Sequence, residues 1–522
     1  MAEDEKGPDE KSSDYEAMCS YWEMIEAINS GAEAMRQKGD VYLPKFPNES
    51  AEDYKYRKQT APFTNIYGDV SKNLASKPFA KELTLKEGAA RSLVDLCEDI
   101  DGQGNNLHVF AAATFQDGID FAIDWIFVDY TKAPPVAGRP RTQAEETALK
   151  LRPYWVHICA DRVLAVYSDF IDGKETIIYA RIKEDVVERE GFTEKTTNRV
   201  RELKREKQAD GSYGEATFQV YEKQTDTGGK VTWVSIEGPT KITIGVIALA
   251  PFMTGKRIGS TWQFKPRLRD IAFLQIEEFQ QESNLKSIME ATSYPMLAGN
   301  GIGEAKDDKG GPIRVPAGPR AVLFAPMNAN GNHGTWTFIE PSAESVKTLI
   351  SHLDDTQKNM RDLGMQPLTT ANLTVITTAN VSVKAHSAVQ AWALALKDAL
   401  ELAFSFTILW LKAGTEQPEV QVFTDFGVDF EAAKELDSLI KGQAQGIFSK
   451  KTVQIEFKRR GVLSDNFDPD EEELQIASEQ QGLEGEQAID PVTGEVVQPP
   501  TRPKVIKQPG AVSPRLALAP GK

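Results

Sequence analysis

The segment 264–291, FKPRLRDIAFLQIEEFQQESNLKSIMEA, decides how this chain is read. Leu268, Ile271, Ala272, Gln275, Ile276 and Phe279 recur at steps of three and four, with Leu285, Ile288 and Met289 beyond. That spacing lays one stripe along one side of a helix. Pro266 suits a first helical turn, where its missing N–H costs nothing. Segment 341–364, PSAESVKTLISHLDDTQKNMRDLG, predicts a second helix. Ser342 is its cap, Glu340 and Glu344 sit near its positive end, and Gly364 is expected to end it in a left-handed turn. Its apolar side is Val346, Leu349, Ile350, Leu353 and Met360. A small Gly/Pro-rich module separates the two helices, and a Thr/Asn-rich segment, 365–380, follows the second. The segment 381–412 then predicts a helix about 48 Å long at ~1.5 Å per residue.

The chain has 522 residues and a net charge of −17, from 77 acidic and 60 basic side chains. That length predicts two to four domains with ample core. The acidic balance argues against tight gripping of nucleic acid, since duplex DNA carries about one negative charge per 1.7 Å. It does not exclude a protein that surrounds DNA without gripping it, because repulsion at physiological salt reaches only about 8 Å. Cys19, Cys97 and Cys159 are widely spaced with no CxxC pair, which predicts a reducing compartment and neither a disulfide framework nor a zinc site. The opening MAEDEKGPDEKSSD is acidic without an apolar run, so no signal peptide is expected. The most apolar run, 388–411, contains Lys397, Asp398 and Glu401, which predicts a packed helix rather than a membrane span.

Upstream, helices are expected over 15–39, 51–77 with a break near Pro62, 88–99 and 105–117. Strands are expected over 121–130 and around His157 and Ile158. A meander of antiparallel strands follows (177–187, 199–207, 216–223, 230–236), and then one strand over 242–252. Downstream, a strand is expected at 420–423 and helices at 429–445 and 450–460. Residues 1–14 and 476–522 have the composition of disordered ends.

Motifs of chemistry are sparse. Gly299-Asn300-Gly301-Ile302-Gly303 lacks the sixth-position glycine of a dinucleotide loop, and no GxxxxGK[ST] occurs, so a flexible loop is the better reading. Asp307-Asp308 lacks the alternating oxygens of a calcium loop. Asp465, Asp468 and Asp470 read as an acidic helix start. The five histidines (108, 157, 333, 352 and 386) form no HxxxH pair, and no GxSxG elbow is present. No catalytic residue, metal ligand or cofactor is assigned. Val389, Trp392, Leu396, Leu400, Ala403 and Phe404 form a stripe on the long helix that reads as core or as subunit contact.

The order of these pieces resembles the portal proteins of tailed bacteriophages. The opening of one portal subfamily is similar to Tyr42-Leu43-Pro44, Tyr54-Lys55-Tyr56-Arg57, Phe63-Thr64-Asn65 and Ala75-Ser76-Lys77-Pro78. A stem helix entering its clip resembles Lys265-Pro266-Arg267-Leu268-Arg269-Asp270-Ile271-Ala272 followed by Ser293-Tyr294-Pro295-Met296-Leu297. Phe338-Ile339-Glu340-Pro341-Ser342-Ala343-Glu344, with Met360-Arg361-Asp362-Leu363-Gly364-Met365 at the far end, resembles the second stem helix. Ala444-Gln445-Gly446-Ile447-Phe448-Ser449, Gly461-Val462-Leu463-Ser464 and acidic 468–473 resemble the crown. The likeness spans roughly 15–475.

The resemblance implies an α+β portal fold. It consists of a wing (15–263), stem helices (264–291 and 341–364), a clip (292–340), a tunnel loop (365–383), a long helix returning to the wing (384–424) and a helical crown (425–475). It implies a homo-oligomeric ring, usually dodecameric, at one capsid vertex of a virion assembled in the host cytoplasm. Double-stranded DNA would pass through during packaging and ejection without sequence specificity. Large terminase, then a head–tail adaptor, would dock on the ring, which would also contact the major capsid protein and scaffold; no membrane is involved. Candidate tunnel-loop residues are Thr369, Thr370, Asn372, Thr374, Thr377, Thr378, Asn380 and Lys384. Candidate stem charges facing the channel are Lys265, Arg267, Arg269, Lys347, Lys358 and Arg361, for most of which a solvated or ion-paired face is the simpler reading. The rival expectations are another ring-forming virion adaptor and an enzyme of unrecognised class.

Overall fold

A computed structural model describes residues 7–132, 142, 145, 148–225, 231–293, 296–300, 334–339, 343–364, 375–411, 416–424, 439–459, 463 and 467–485. The fold is mixed α and β. The chain divides into two units, Met1–Val428 and Asp429–Lys522.

The first unit begins with α1 (Ser13–Ser30), capped by the Ser12 hydroxyl, which accepts the Tyr15 N–H at 3.2 Å. Then come α2 (Ala32–Lys38), α3 (Ala51–Thr60), α4 (Ile66–Ser76), a two-residue β1 (Thr84–Leu85), α5 (Arg91–Cys97) and α6 (Leu107–Phe121). The break expected near Pro62 divides 51–77 into two helices: the chain turns at Ala61 and restarts at an Asn65 cap. Asn65 accepts the Gly68 N–H at 2.7 Å. Asp120 ties α1, α4 and α6 together. Asn29, Tyr67, Ser71 and Gln116 donate to its carboxylate at 2.5–3.0 Å. Burial pushes this carboxyl up, and the four donors pull it back down.

After α6, Ala122 adopts a left-handed conformation (φ 73°), so the strand expected from Phe121 begins at Ile123. β2 (Ile123–Tyr130) is the centre of a three-stranded antiparallel sheet, with β3 (Pro153–Ile158) on one side and β9 (Leu249–Met253) on the other. Gly118 allows α6 to lie on this sheet: a Cβ there would stand 2.2 Å from the Phe252 ring. The expected four-stranded meander is part of a second sheet of five strands in sequence order, its first strand not having been expected. They are β4 (Val163–Ile171), β5 (Lys174–Glu190), β6 (Thr193–Lys204), β7 (Thr217–Thr225) and β8 (Val231–Lys241). The strand expected over 242–252 is shorter, because 242–248 is a turn with Gly245 at φ 72°. A short pair, β10 (Lys256–Arg257) with β11 (Phe264–Lys265), follows. Arg257 forks onto Glu175 at 2.6 and 2.7 Å and lies 4.6 Å from the centre of the Trp262 ring. Arg257→Lys keeps the charge but loses the two-pronged geometry. It is expected to cost about 1 kcal/mol, read as a small drop in the thermal midpoint.

The expected first stem helix is α7 (Arg269–Ser293); Phe264 and Lys265 belong to β11 instead. A β-hairpin follows, β12 (Met296–Asn300) with β13 (Thr335–Ile339), pairing Met296 with Ile339 and Asn300 with Thr335. Next are α8 (Ala343–Leu363) and α9 (Val375–Leu411). β14 (Val420–Gln421) pairs with β1, so the chain beyond α9 is returned to the amino-terminal layer.

In the second unit α10 (Lys450–Arg459) packs on α11 (Pro469–Gly485). Lys451 pairs with Asp470 at 2.6 Å, and Asp468 accepts the Asp470 N–H at 2.8 Å, as befits an acidic helix start. α11 extends past residue 476, into the segment read as a disordered tail: four consecutive residues, 470–473, are acidic and sit at its positive end. Asp465 and most of 429–445 lie outside the described residues.

Candidate functional site

The candidate site is the helical hairpin α7–α8. Its two helices run antiparallel: Gln357 on α8 donates to Glu278 on α7 at 3.0 Å, and one helical turn away His352 meets Gln281 at 3.1 Å. Their far ends are joined through the β12–β13 hairpin. Of the two predicted stripes, Leu268, Ile271, Ala272, Gln275, Phe279 and Met360 are buried, whereas Met289 and Ile350 are exposed.

The base of the hairpin buries two polar groups, Gln275 of the predicted stripe and Glu278 outside it. Gln275 and Glu278 are 0% exposed. The Gln275 carbonyl oxygen accepts the backbone N–H groups of Ile66 and Tyr67, each at 2.9 Å. These are orphan donors at the start of α4, which every helix must satisfy from outside its own ladder. The Gln275 amide donates to the Thr64 carbonyl at 2.9 Å and to Glu278 at 3.0 Å. Glu282, one turn along, accepts from the Thr64 hydroxyl at 2.7 Å and its N–H at 3.1 Å. Burial, with the Glu282 charge beside it, pushes the Glu278 carboxyl up to about 8, so it holds its proton at neutral pH. Further along, Gln280 donates to the Tyr42 carbonyl at 2.9 Å and Lys286 to the Thr60 carbonyl at 2.7 Å. The amino-terminal pieces at Tyr42 and Phe63-Thr64-Asn65 thus form a collar on α7. Gly364 is not left-handed; it is small because a Cβ would lie 2.4 Å from Val70.

All six candidate stem charges are exposed, and none forms an ion pair among the described residues. Lys265 lies on β11 and Arg267 in the turn before α7; Arg269 opens α7 and lies 5.4 Å from the centre of the Phe273 ring. At 3.6 residues per turn, Lys347, Lys358 and Arg361 fall within about 60° of one another and span roughly 21 Å of α8. Asp354 shares their face. Thr356 and Met360, which are buried, point the opposite way. The hairpin therefore carries a mainly basic row on the side of α8 that faces away from α7.

The candidate tunnel loop is split. Thr369, Thr370, Asn372 and Thr374 lie outside the described residues. Thr377, Thr378, Asn380 and Lys384 are on helical backbone, because α9 begins at Val375 rather than at 381. Residues 375–380 (VITTAN) contain neither glycine nor proline to break a helix, so the periodic pattern extends further back than expected. Gly301–Gly303 and Asp307-Asp308 are likewise outside the described residues.

The stripe of α9 is core of its own chain. Val389, Leu396, Leu400, Ala403 and Phe404 are buried. Phe404 meets Trp155 edge-on with ring centres 4.7 Å apart, and the Trp155 indole N–H donates to Thr407 at 2.9 Å. Trp410 stacks on Tyr130 with centres 5.2 Å apart. Periodicity placed Gln275 correctly on the buried side; nothing in it marked Glu278, which no sequence motif accompanies.

A family model described as "Domain of unknown function (DUF4055)" matches residues 267–411, the stretch from α7 through α9. No curated protein sequence matches the chain. Among solved structures the chain is similar to one described as "Neck of empty GTA particle computed with C6 symmetry". The two share 12% identity at a TM-score of 0.37, over 82% of this chain and 98% of the other.

Proposed function

We propose that this chain is the portal subunit of a tailed-phage-like virion, a head–tail connector copied around an axis to leave a passage for duplex DNA. The observation that carries this reading is the α7–α8 hairpin, two antiparallel rods joined by a small β module. It lies at the chain positions where the portal resemblance puts stem and clip. Exposed apolar residues support assembly: Phe273 and Met289 on α7, Ile350 and Leu363 on α8, and Leu394, Leu402 and Leu409 on α9 are each exposed by more than a third. Neighbouring copies would cover them through head-to-tail contacts that must close into a ring. The row of Lys347, Lys358 and Arg361 supplies sparse phosphate contacts in an otherwise acidic wall, enough to guide DNA without holding it. Terminase and then the adaptor would dock at the clip end, and the capsid protein would hold the wing.

Mass photometry of the purified full chain, followed by imaging of particles, tests this. The expected result is a ring near twelve subunits with a central hole, seated at one vertex. A stable monomer at micromolar concentration, or a closed dimer without a hole, would remove the reading.

A further inference from the structure

A second cluster lies well away from the hairpin in sequence and uses none of its residues. Asp117 is in the last turns of α6, Asp124 is the second residue of β2, His157 is near the end of β3, and Cys159 follows that strand. The left-handed Ala122 folds β2 back against α6, and the β2–β3 register sets Ile126 opposite His157. These two contacts bring four residues from three elements to one place.

One ligand atom each from Asp117, His157 and Cys159 lies within 4.8 Å of the other two. Asp117 Oδ2 is 3.7 Å from His157 Nε2 and 3.6 Å from Cys159 Sγ. Asp124 is fully buried, and its Oδ2 touches the same His157 Nε2. Its other oxygen, Oδ1, has no hydrogen-bond partner. A buried carboxylate with an unpartnered oxygen is expensive unless it is neutralised, paired or bound to a cation. Four-coordinate zinc, with bonds of 2.0–2.3 Å, sets neighbouring ligand atoms about 3.3–3.8 Å apart, which is the separation that Asp117 already keeps from the other two. Sulfur and imidazole beside a carboxylate select a borderline-soft ion over calcium or magnesium, which take oxygen shells. Asp117 and His157 are 34% and 20% exposed, so the site has a side open to entry.

We propose that Asp117, His157 and Cys159 bind one divalent ion of the zinc class, its fourth position open, which fastens the end of α6 to β3. Asp124 lies outside this set, and an ion on His157 Nε2 would take the place of its contact with Asp124 Oδ2.

The test uses the untagged full chain, stripped with a chelator and titrated with Co²⁺ as a spectroscopic stand-in for Zn²⁺. One Co²⁺ per chain is expected, with visible bands of tetrahedral intensity and a near-ultraviolet thiolate-to-cobalt band, both erased by Zn²⁺. The thiolate band should persist in the Cys19→Ser/Cys97→Ser chain and vanish in Cys159→Ser. His157→Asn should weaken binding by at least about 100-fold, more than loss of an outer-shell partner does. If that variant does not fold, Cys159→Ser, a one-atom change at a partly exposed position, decides alone. Failure to take up Co²⁺ stoichiometrically, or a thiolate band that survives Cys159→Ser, overturns the proposal.

Discussion

Gln275→Leu is expected to destabilise the first unit by about 3–5 kcal/mol, a large share of the stability of an ordinary domain. The side chain lost is similar in volume, so the cost is not a cavity. It is the bare polar groups left behind: the N–H groups of Ile66 and Tyr67, the Thr64 carbonyl and one oxygen of Glu278, all now facing methyl groups. Each buried group stripped of its partner costs about 1–3 kcal/mol, and local relaxation recovers part of the sum. The change should appear as a lower urea midpoint and as faster hydrogen exchange at the start of α4. If exchange at Ile66 and Tyr67 is unaltered and the midpoint moves by less than about 1 kcal/mol, the network does not fasten α7 to the amino-terminal collar.

Glu278→Gln should remove a loss of stability that the native chain suffers as pH rises. Below the unfolded value of 4.5 this carboxyl is protonated whether the chain is folded or not, and it costs nothing. Between 4.5 and about 8 the unfolded chain gives up the proton while the folded chain keeps it. The folded state then binds more protons, so stability falls as pH rises across this window. The contribution present below 4.5 is gone once pH passes about 8. At about 1.4 kcal/mol per pH unit, discounted because Glu282 shares the effect, the native chain loses on the order of 2–4 kcal/mol that the glutamine variant does not. Unfolding midpoints measured by exchange of α7 amides from pH 5 to 9 should diverge, with the variant gaining at the alkaline end. Parallel curves would show that Glu278 is already ionised in the folded chain.

The sequence by itself determined the local elements and their order. Stripes at three- and four-residue steps located α7, α8 and the packed half of α9, because a helix that must bury one side writes its own period into the chain. Alternating β-formers between turns located four of the five meander strands for the same reason; β4 was not among them. The ends of elements were less legible, since they depend on one or two residues. Gly364 read as a left-handed stop and proved to be a matter of room beside Val70; α9 began at Val375 because nothing in 375–380 interrupts a helix.

Only the tertiary structure decided what the buried sides touch. That Gln275 closes the ladder of α4, that Glu278 meets Gln357, and that the α9 stripe seals its own chain's sheet through Trp155 are contacts across 79 to 252 residues. Asp117, Asp124, His157 and Cys159 carry no spacing pattern for the same reason, their neighbourhood being made by a left-handed residue and a strand register. Periodicity reports which way a side chain faces; the partner it finds there is set by long-range packing, which no local pattern encodes.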